Sequence, residues 1–417
     1  MGTLNDDRLG PWPRGLNNRD TDSKIPEGAL RLARNVDVTR TGIIRRRAGY
    51  TERVSGSYHS LWGNGSEGYV VKNDALTRLT VSGNTVTETE LRTGLASAMR
   101  MAYVAVNERV YYSNDVVTGC VVAGVDRPWG VEHAGSLPVA AAVASGGLDA
   151  GAYQIAVTFV ADDGEEGGTA ASVSVNVAQG GGVSLSAIPQ PAAGTVSWVR
   201  VYVTQANSRT FYRYADLAVG TTTLLISKSA TLGMVLETWD LYPPPPGGVL
   251  ELHNGCIWVG SGRRLWFTEP LRYGQVKRTN SYLFPAEISV IARLSSQALM
   301  VAADRHYLLM GADPYNLTLV KSHDYPAVKG TRVTLPDGET RAWASTRGWM
   351  MPGEGGVVEV LRDKVEIDVA SRGGALYRET NGEDQILISL HDGVMSPSVS
   401  ERYTQAETTR LKPGVNA

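Results

Sequence analysis

Arginine is the residue whose type and spacing in this chain first suggest chemistry. The stretch from Gly28 to Tyr50, GALRLARNVDVTRTGIIRRRAGY, holds six arginines, and Arg45, Arg46 and Arg47 are consecutive. A guanidinium is a planar fork of donors that can grip a carboxylate or phosphate through two bonds and tolerates burial at an interface. Yet the 417-residue chain carries a formal net charge of only −2, with a pI near 6.3. Nucleic acid, an acidic protein surface and solvent are therefore the rival partners for that fork. Charge is also uneven: residues 1–50 hold ten Lys/Arg against six Asp/Glu, whereas residues 137–247 hold four against eight.

Four carboxylates crowd a second place. ADDGEEGG brings Asp162, Asp163, Glu165 and Glu166 around one glycine. Calcium favours oxygen-rich turns, but the alternating ligands and terminal Glu of an EF-hand loop are missing, so the stretch reads as a solvated turn. Arg263, Arg305 and Arg347 recur 42 residues apart. Sialidases clamp a substrate carboxylate with arginines, but they also carry S-x-D-x-G-x-x-W turns. The nearest approach here, STRGW (Ser345–Trp349), lacks the Asp, and the three arginines read as repeated turn residues.

Other patterns point away from chemistry. GNGSEG places Gly63, Gly65 and Gly68 at G-x-G-x-x-G spacing, but a strand-like YVVK follows where a nucleotide site needs a helix, which makes it a hairpin. The six histidines form neither HExxH nor a pair at ligand spacing, and no GxSxG occurs. Cys120 and Cys256 lack CxxC companions and read as two buried free thiols, as in a reducing cytoplasm, with a single disulfide as the alternative. The expectation is no catalytic residue, no cofactor and no metal: not an enzyme. No run of about 18 apolar residues can form a membrane-spanning helix, and MGTLND fits neither a signal peptide nor a myristoylation site.

The elements that position these residues read as strands. Tyr153, Ile155, Val157 and Phe159 alternate with polar neighbours, as do Val173, Val175 and Val177, and Val199, Val201 and Val203. Alternation puts each set on one face of a half-buried strand. With turns at ADDGEEGG, AQGGG, PQPAAG and AVGTTT, the region 137–247 predicts about seven strands in an immunoglobulin- or fibronectin-like sandwich. The stiff YPPPPGG follows it. Around it, VGSGRRLWFTE, VAADRHYLLMG and STRGWMMPG repeat at 42 residues, with looser copies VVKNDALTRLT and VAVNERVYYSN upstream. That period is the length of a β-propeller blade, and the chain outside the insert suffices for about six. The expected fold is all-β: an N-terminal arm (1–28), a propeller in two parts (29–136 and 248–393), the inserted sandwich (137–247) and a flexible C-terminal tail (394–417). In the first part, ARNVDV and GIIRRR should pair across TRTG, with Val36 and Val38 on one face.

IPEGALRLARNVDVTRTGIIRRRAGY resembles the opening of virion proteins from tailed bacteriophages, in which P-x-G-A, A-x-N-V-D-V and G-x-x-R-R-R-x-G-Y precede a propeller. The chain is most similar to the tail nozzle proteins of short-tailed phages, the packaged-DNA stabilisation or tail tubular protein B family. VRVYVTQANSRTFYRYADL, PPPPGGVLELHNGCIWVGSGRRLWFTEPLRYG and NGEDQILISL extend the likeness through the insert and the second part. The resemblance implies a virion protein, assembled in the host cytoplasm, whose copies form a hexameric ring below the portal and its adaptor. It implies contacts with a tail needle, tip or fibres, and a lumen through which packaged double-stranded DNA passes without sequence specificity.

On that expectation Arg45, Arg46 and Arg47 serve an inter-subunit or adaptor interface, because a strongly basic lumen would hold phosphates rather than let them slide. Two other readings stay open: a glycan-active propeller enzyme, and a virion-borne carbohydrate- or receptor-binding protein with exposed Trp and Tyr as sugar platforms.

Overall fold

The computed structural model describes residues 11–33, 36–39, 41–47, 49, 51–64, 67–95, 99–192, 194–354, 356–360, 370–380, 383–391 and 407–409. Among them the chain is all-β, with 36 strands and one short 3-10 turn at Asp22–Lys24. Two compact units divide it: Met1–Arg100 with Gly262–Arg264 and Leu283–Ala417, and Met101–Ser261 with Leu265–Tyr282.

The first unit opens with a short parallel pair, β1 (Gly15–Leu16) and β2 (Ala29–Leu30), and a hairpin of β3 (Val36–Val38) and β4 (Ile44–Arg46). A four-stranded antiparallel meander follows: β5 (Tyr58–Asn64), β6 (Glu67–Lys72), β7 (Ala75–Ser82) and β8 (Thr85–Arg92). GNGSEG lies at the β5–β6 turn, with Gly63 paired to Gly68, so strands flank it on both sides; Gly65 lies outside the described residues.

The second unit holds β9 (Ala102–Val106), β10 (Arg109–Ser113), β11 (Thr118–Val122) and β12 (Val125–Arg127), again a four-stranded meander. Seven strands come next: β13 (Val139–Leu148), β14 (Gly151–Ala161), β15 (Val173–Val177), β16 (Gly181–Ser186), β17 (Val196–Thr204), β18 (Phe211–Ala218) and β19 (Leu224–Ile226). They form two antiparallel sheets, β13-β16-β19 and β15-β14-β17-β18. One core joins the sheets, in which Leu148, Val183, Leu185 and Ile226 of the first meet Tyr153, Ile155, Val157, Phe159, Val199, Val201 and Val203 of the second. Those are the alternating positions, and burying each large side chain contributes about 1.5–3 kcal/mol. Two packed sheets make a sandwich, but their strand order departs from the ABED/CFG partition of an immunoglobulin constant domain.

After β20 (Leu241–Tyr242), the strands β21 (Val249–His253), β22 (Cys256–Ser261) and β23 (Arg264–Phe267) form a further four-stranded sheet with β25 (Ser281–Leu283), while β24 (Val276–Lys277) pairs with β20. Its apolar face meets that of the β9–β12 sheet: Leu250, Ile257 and Val259 pack with Val104, Tyr111, Cys120 and Trp129.

The remainder of the first unit repeats the pattern. β26 (Val290–Ser295), β27 (Ala298–Ala302), β28 (His306–Met310) and β29 (Thr318–His323) form one meander. The strands β30 (Val333–Thr334), β31 (Arg341–Ser345), β32 (Gly348–Gly353) and β33 (Gly356–Val360) form the next, and β34 (Arg372–Thr380), β35 (Glu383–His391) and β36 (Glu407–Thr409) a three-stranded sheet. Successive sheets pack face to face. Trp343 and Met350 pack among Val290, Met300 and Leu308, while Ala342 and Trp349, next in sequence and hence on the opposite face, pack on Ile386 and Ile388. Of the tail expected over 394–417, residues 407–409 form β36 and the others lie outside the described residues.

The 42-residue spacing has a structural meaning. Arg263, Arg305 and Arg347 each lie in the turn between the second and third strands of a four-stranded sheet. Asn73–Asp74 occupies that place in the β5–β8 sheet. The upstream copy VAVNERVYYSN does not: it spans the first hairpin of its sheet, and the equivalent turn is Asn114–Val117. The mismatch arises because Asn107 and Glu108, at φ 50° and 60°, make a tight two-residue turn that mimics the repeat.

Candidate functional site

The β3–β4 hairpin forms as its sequence dictates. β-branched Val36 and Val38 alternate along β3, and the register sets Val36 opposite Arg46, Asp37 opposite Arg45 and Val38 opposite Ile44. Thr39 organises the turn: its carbonyl accepts the Gly42 N–H at 2.9 Å, and its Oγ1 accepts the Ile43 N–H at 3.0 Å. Gly42 is obligatory on two counts. Its φ is +83°, and a Cβ there would stand 2.4 Å from the Pro13 nitrogen. The segment at Trp12, whose N–H donates to the Gly42 carbonyl at 2.7 Å, thus braces the turn.

This geometry separates the three arginines. Arg47 is built into the fold: its Nε meets Asp37 Oδ1 at 3.0 Å, and both side chains are largely buried. Arg378, from β34, approaches the other Asp37 oxygen at 3.7 Å. Arg45 and Arg46 are exposed, and the β3–β4 sheet ends at β4, so that strand has one unpaired edge among the described residues. Ile43 and Ile44 beside them are 52% and 39% exposed, which makes the edge amphipathic rather than purely charged.

The acidic turn behaves otherwise. Asp162, Asp163 and Gly164 are exposed, as in a solvated turn, and every carboxylate also faces an arginine. Asp163 pairs with Arg109 of β10 at 2.9 Å, Glu165 lies 3.8 Å from the same guanidinium, and Asp162 pairs with Arg127 of β12. Glu166 turns onto the outer face of the sandwich, where Arg200 Nη1 reaches it at 2.7 Å and Tyr202 and Thr158 donate hydroxyls at 2.8 and 2.6 Å. Arg200 also grips both oxygens of Asp216, at 2.8 and 3.0 Å. Burial pushes the Glu165 carboxyl up, with Asp163 adding to the shift. Burial acts on Asp163 in the same sense but is outweighed by the Glu165 N–H and by Arg109, which hold it low. The turn therefore fastens the sandwich to the β9–β12 sheet. Among the described residues no group of His, Cys, Asp and Glu side chains could hold a metal ion.

The spaced turn arginines do not share a partner. Arg263 donates to the Phe284 carbonyl at 3.0 Å, Arg305 pairs with Asp324 at 2.6 Å, and Arg347 lies over the Tyr325 ring at 4.9 Å. Each braces the chain where it leaves a fourth strand. The most deeply buried histidine, His306, accepts the Trp343 indole N–H at 2.9 Å, which makes its other nitrogen the donor to the Tyr325 carbonyl at 2.7 Å. Burial lowers its pKa to about 4, so it stays neutral. Cys120 and Cys256 are both free and buried, and burial pushes each thiol up to about 12. No helix of the described residues is long and apolar enough to cross a membrane.

No family model and no curated protein matches the chain. Among solved structures it is similar to the WD40 β-propeller domain of Doa1, at 10% identity and a TM-score of 0.30, over 80% of this chain and 89% of that one. The N-terminal domain of Nup159 gives 9% and 0.33 over 80% and 73%, and the Pan2 WD40 domain of Neurospora crassa 8% and 0.32 over 80% and 86%. Likeness at this level assigns nothing, and the architecture rests on strand order and packing.

Proposed function

We propose that this chain is a structural protein of a bacteriophage tail: a β-propeller carrying an inserted, immunoglobulin-like sandwich, whose copies form a nozzle ring below the portal and adaptor. The ring would retain the packaged genome and then conduct it. The reading is carried by one observation: β4 presents Arg45 and Arg46, exposed and on an unpaired edge, in a chain whose net charge is −2. A basic patch on a neutral conduit suits a contact between proteins, where charge fixes register, better than a grip on sliding DNA. The four-stranded meanders packed face to face support the propeller, since blades are sheets of that kind.

Its work on this reading is geometric, with no bond made or broken. Negative-stain electron microscopy of the purified full chain tests it. Closed rings around a central passage, lost in R45A/R46A, are expected. Single particles that bind glycans on an array would overturn the nozzle and favour the carbohydrate-binding alternative.

A further inference from the structure

The first unit carries a second charged surface that complements the first. The sheet order β5-β6-β7-β8 leaves the outer edge of β8 unpaired among the described residues. Beside it lies a cavity of about 290 Å³ whose walls include Lys72, Asp74, Thr77, Glu88 and Glu90. Lys72 and Glu88 satisfy each other at 2.5 Å, and Tyr58 donates to the second Glu88 oxygen at 2.5 Å. Asp74 and Glu90 are exposed and pair with no cation among the described residues. Glu88 and Glu90, two residues apart on one strand, share a face, so the cavity wall is acidic on balance. β8 carries charge at Glu88, Glu90 and Arg92 but no Pro, and its exposed Thr85, Thr87 and Thr89 favour strand pairing with an edge of complementary charge.

We propose that β4 of one copy of this chain docks on the β8 edge of a second copy, bringing the β4 arginine on the cavity side of the joined sheet, Arg45 or Arg46, to Asp74 and Glu90 of the second. Arg45 and Arg46 point to opposite faces of β4, so one exposed guanidinium meets the two exposed carboxylates, a fork of donors set among acceptors. Backbone pairing between the two open edges supplies the remaining attraction, as in strand addition. The two surfaces differ, so the contact is head-to-tail: each copy that docks leaves both a free hairpin and a free acidic edge, and the array grows until it closes or extends as a filament. The inference rests on the reading of β4 as an inter-subunit contact and adds its partner.

A charge swap tests it by sedimentation velocity on the full chain. Wild type should self-associate at about 50 mM salt and dissociate at about 0.5 M, where exposed ion pairs are screened. R45E/R46E and D74R/E90R should each sediment as monomers, because like charges then face each other. An equimolar mixture should assemble again, since every hairpin in it finds an edge of opposite sign. Wild type that stays monomeric at low salt, or variants that assemble alone as wild type does, would overturn the proposal. If R45E/R46E dissociates the assembly and D74R/E90R does not, the acidic edge is the wrong partner, while β4 stands as a contact. Far-UV circular dichroism of both variants keeps misfolding from passing as dissociation.

Discussion

The β3–β4 hairpin of the first unit and the acidic turn and outer sandwich face of the second use arginine in opposite ways. In the second, Arg109, Arg127 and Arg200 are answered by Asp163, Asp162, Glu166 and Asp216, and the charges stitch the sandwich to itself and to the neighbouring sheet. In the first, Arg47 is absorbed by Asp37, and Arg45 and Arg46 are left at the surface. A guanidinium with a carboxylate of its own chain is part of the fold. One that is exposed and engages no carboxylate, carbonyl or ring of its own chain is available to another molecule. Residue type does not distinguish the two cases; the partner does.

The largest test of this division is to remove Arg200. Its side chain and those of Glu166 and Asp216 are only 13–17% exposed. R200A would leave two carboxylates without their main cation and should lower unfolding free energy in urea by about 3–5 kcal/mol. A loss below about 1 kcal/mol would make the cluster a surface ornament and break the comparison.

The next is pH. His306 has a folded pKa depressed to about 4 from an ordinary 6.5, so the unfolded chain binds more protons between those values. Its stabilising contribution is complete above pH 6.5 and falls as pH drops toward 4, a loss of about 3 kcal/mol. Asp163 and Asp216, held low by Arg109 and by Arg200 against the opposing effect of burial, contribute their loss only below about pH 4. H306Q should flatten the unfolding curve between pH 6.5 and 4. An unchanged slope would assign the pH response to other groups.

Much of this was legible in the sequence, and the gaps have a common cause. Alternation identified the inward faces of β14, β15 and β17, because strand period depends only on neighbours. The 42-residue recurrence located the turn between second and third strands in three sheets for the same reason. The ion pairs of the acidic turn are not legible in the sequence because their partners are remote: Asp163 lies 54 residues from Arg109 and Glu166 lies 34 from Arg200. No local pattern reports a contact made by folding distant strands together. Nothing in the sequence separates Arg47 from Arg45 and Arg46: hairpin register sets Arg45 opposite Asp37, and Arg47 reaches that carboxylate diagonally. The edge of β8 went unnoticed since Asp74 and Glu90 stand 16 residues apart and share a surface only once β7 and β8 pair.

The measurement that tests the central claim most directly is equilibrium unfolding of R45A/R46A beside wild type, in salt high enough to keep both monomeric. Exposed side chains that serve only an external contact should leave the urea midpoint unchanged, with unfolding free energy within about 0.5 kcal/mol. A drop comparable to that of R200A would show that the hairpin arginines, too, hold their own chain together, and would contradict the assignment of that edge to a partner.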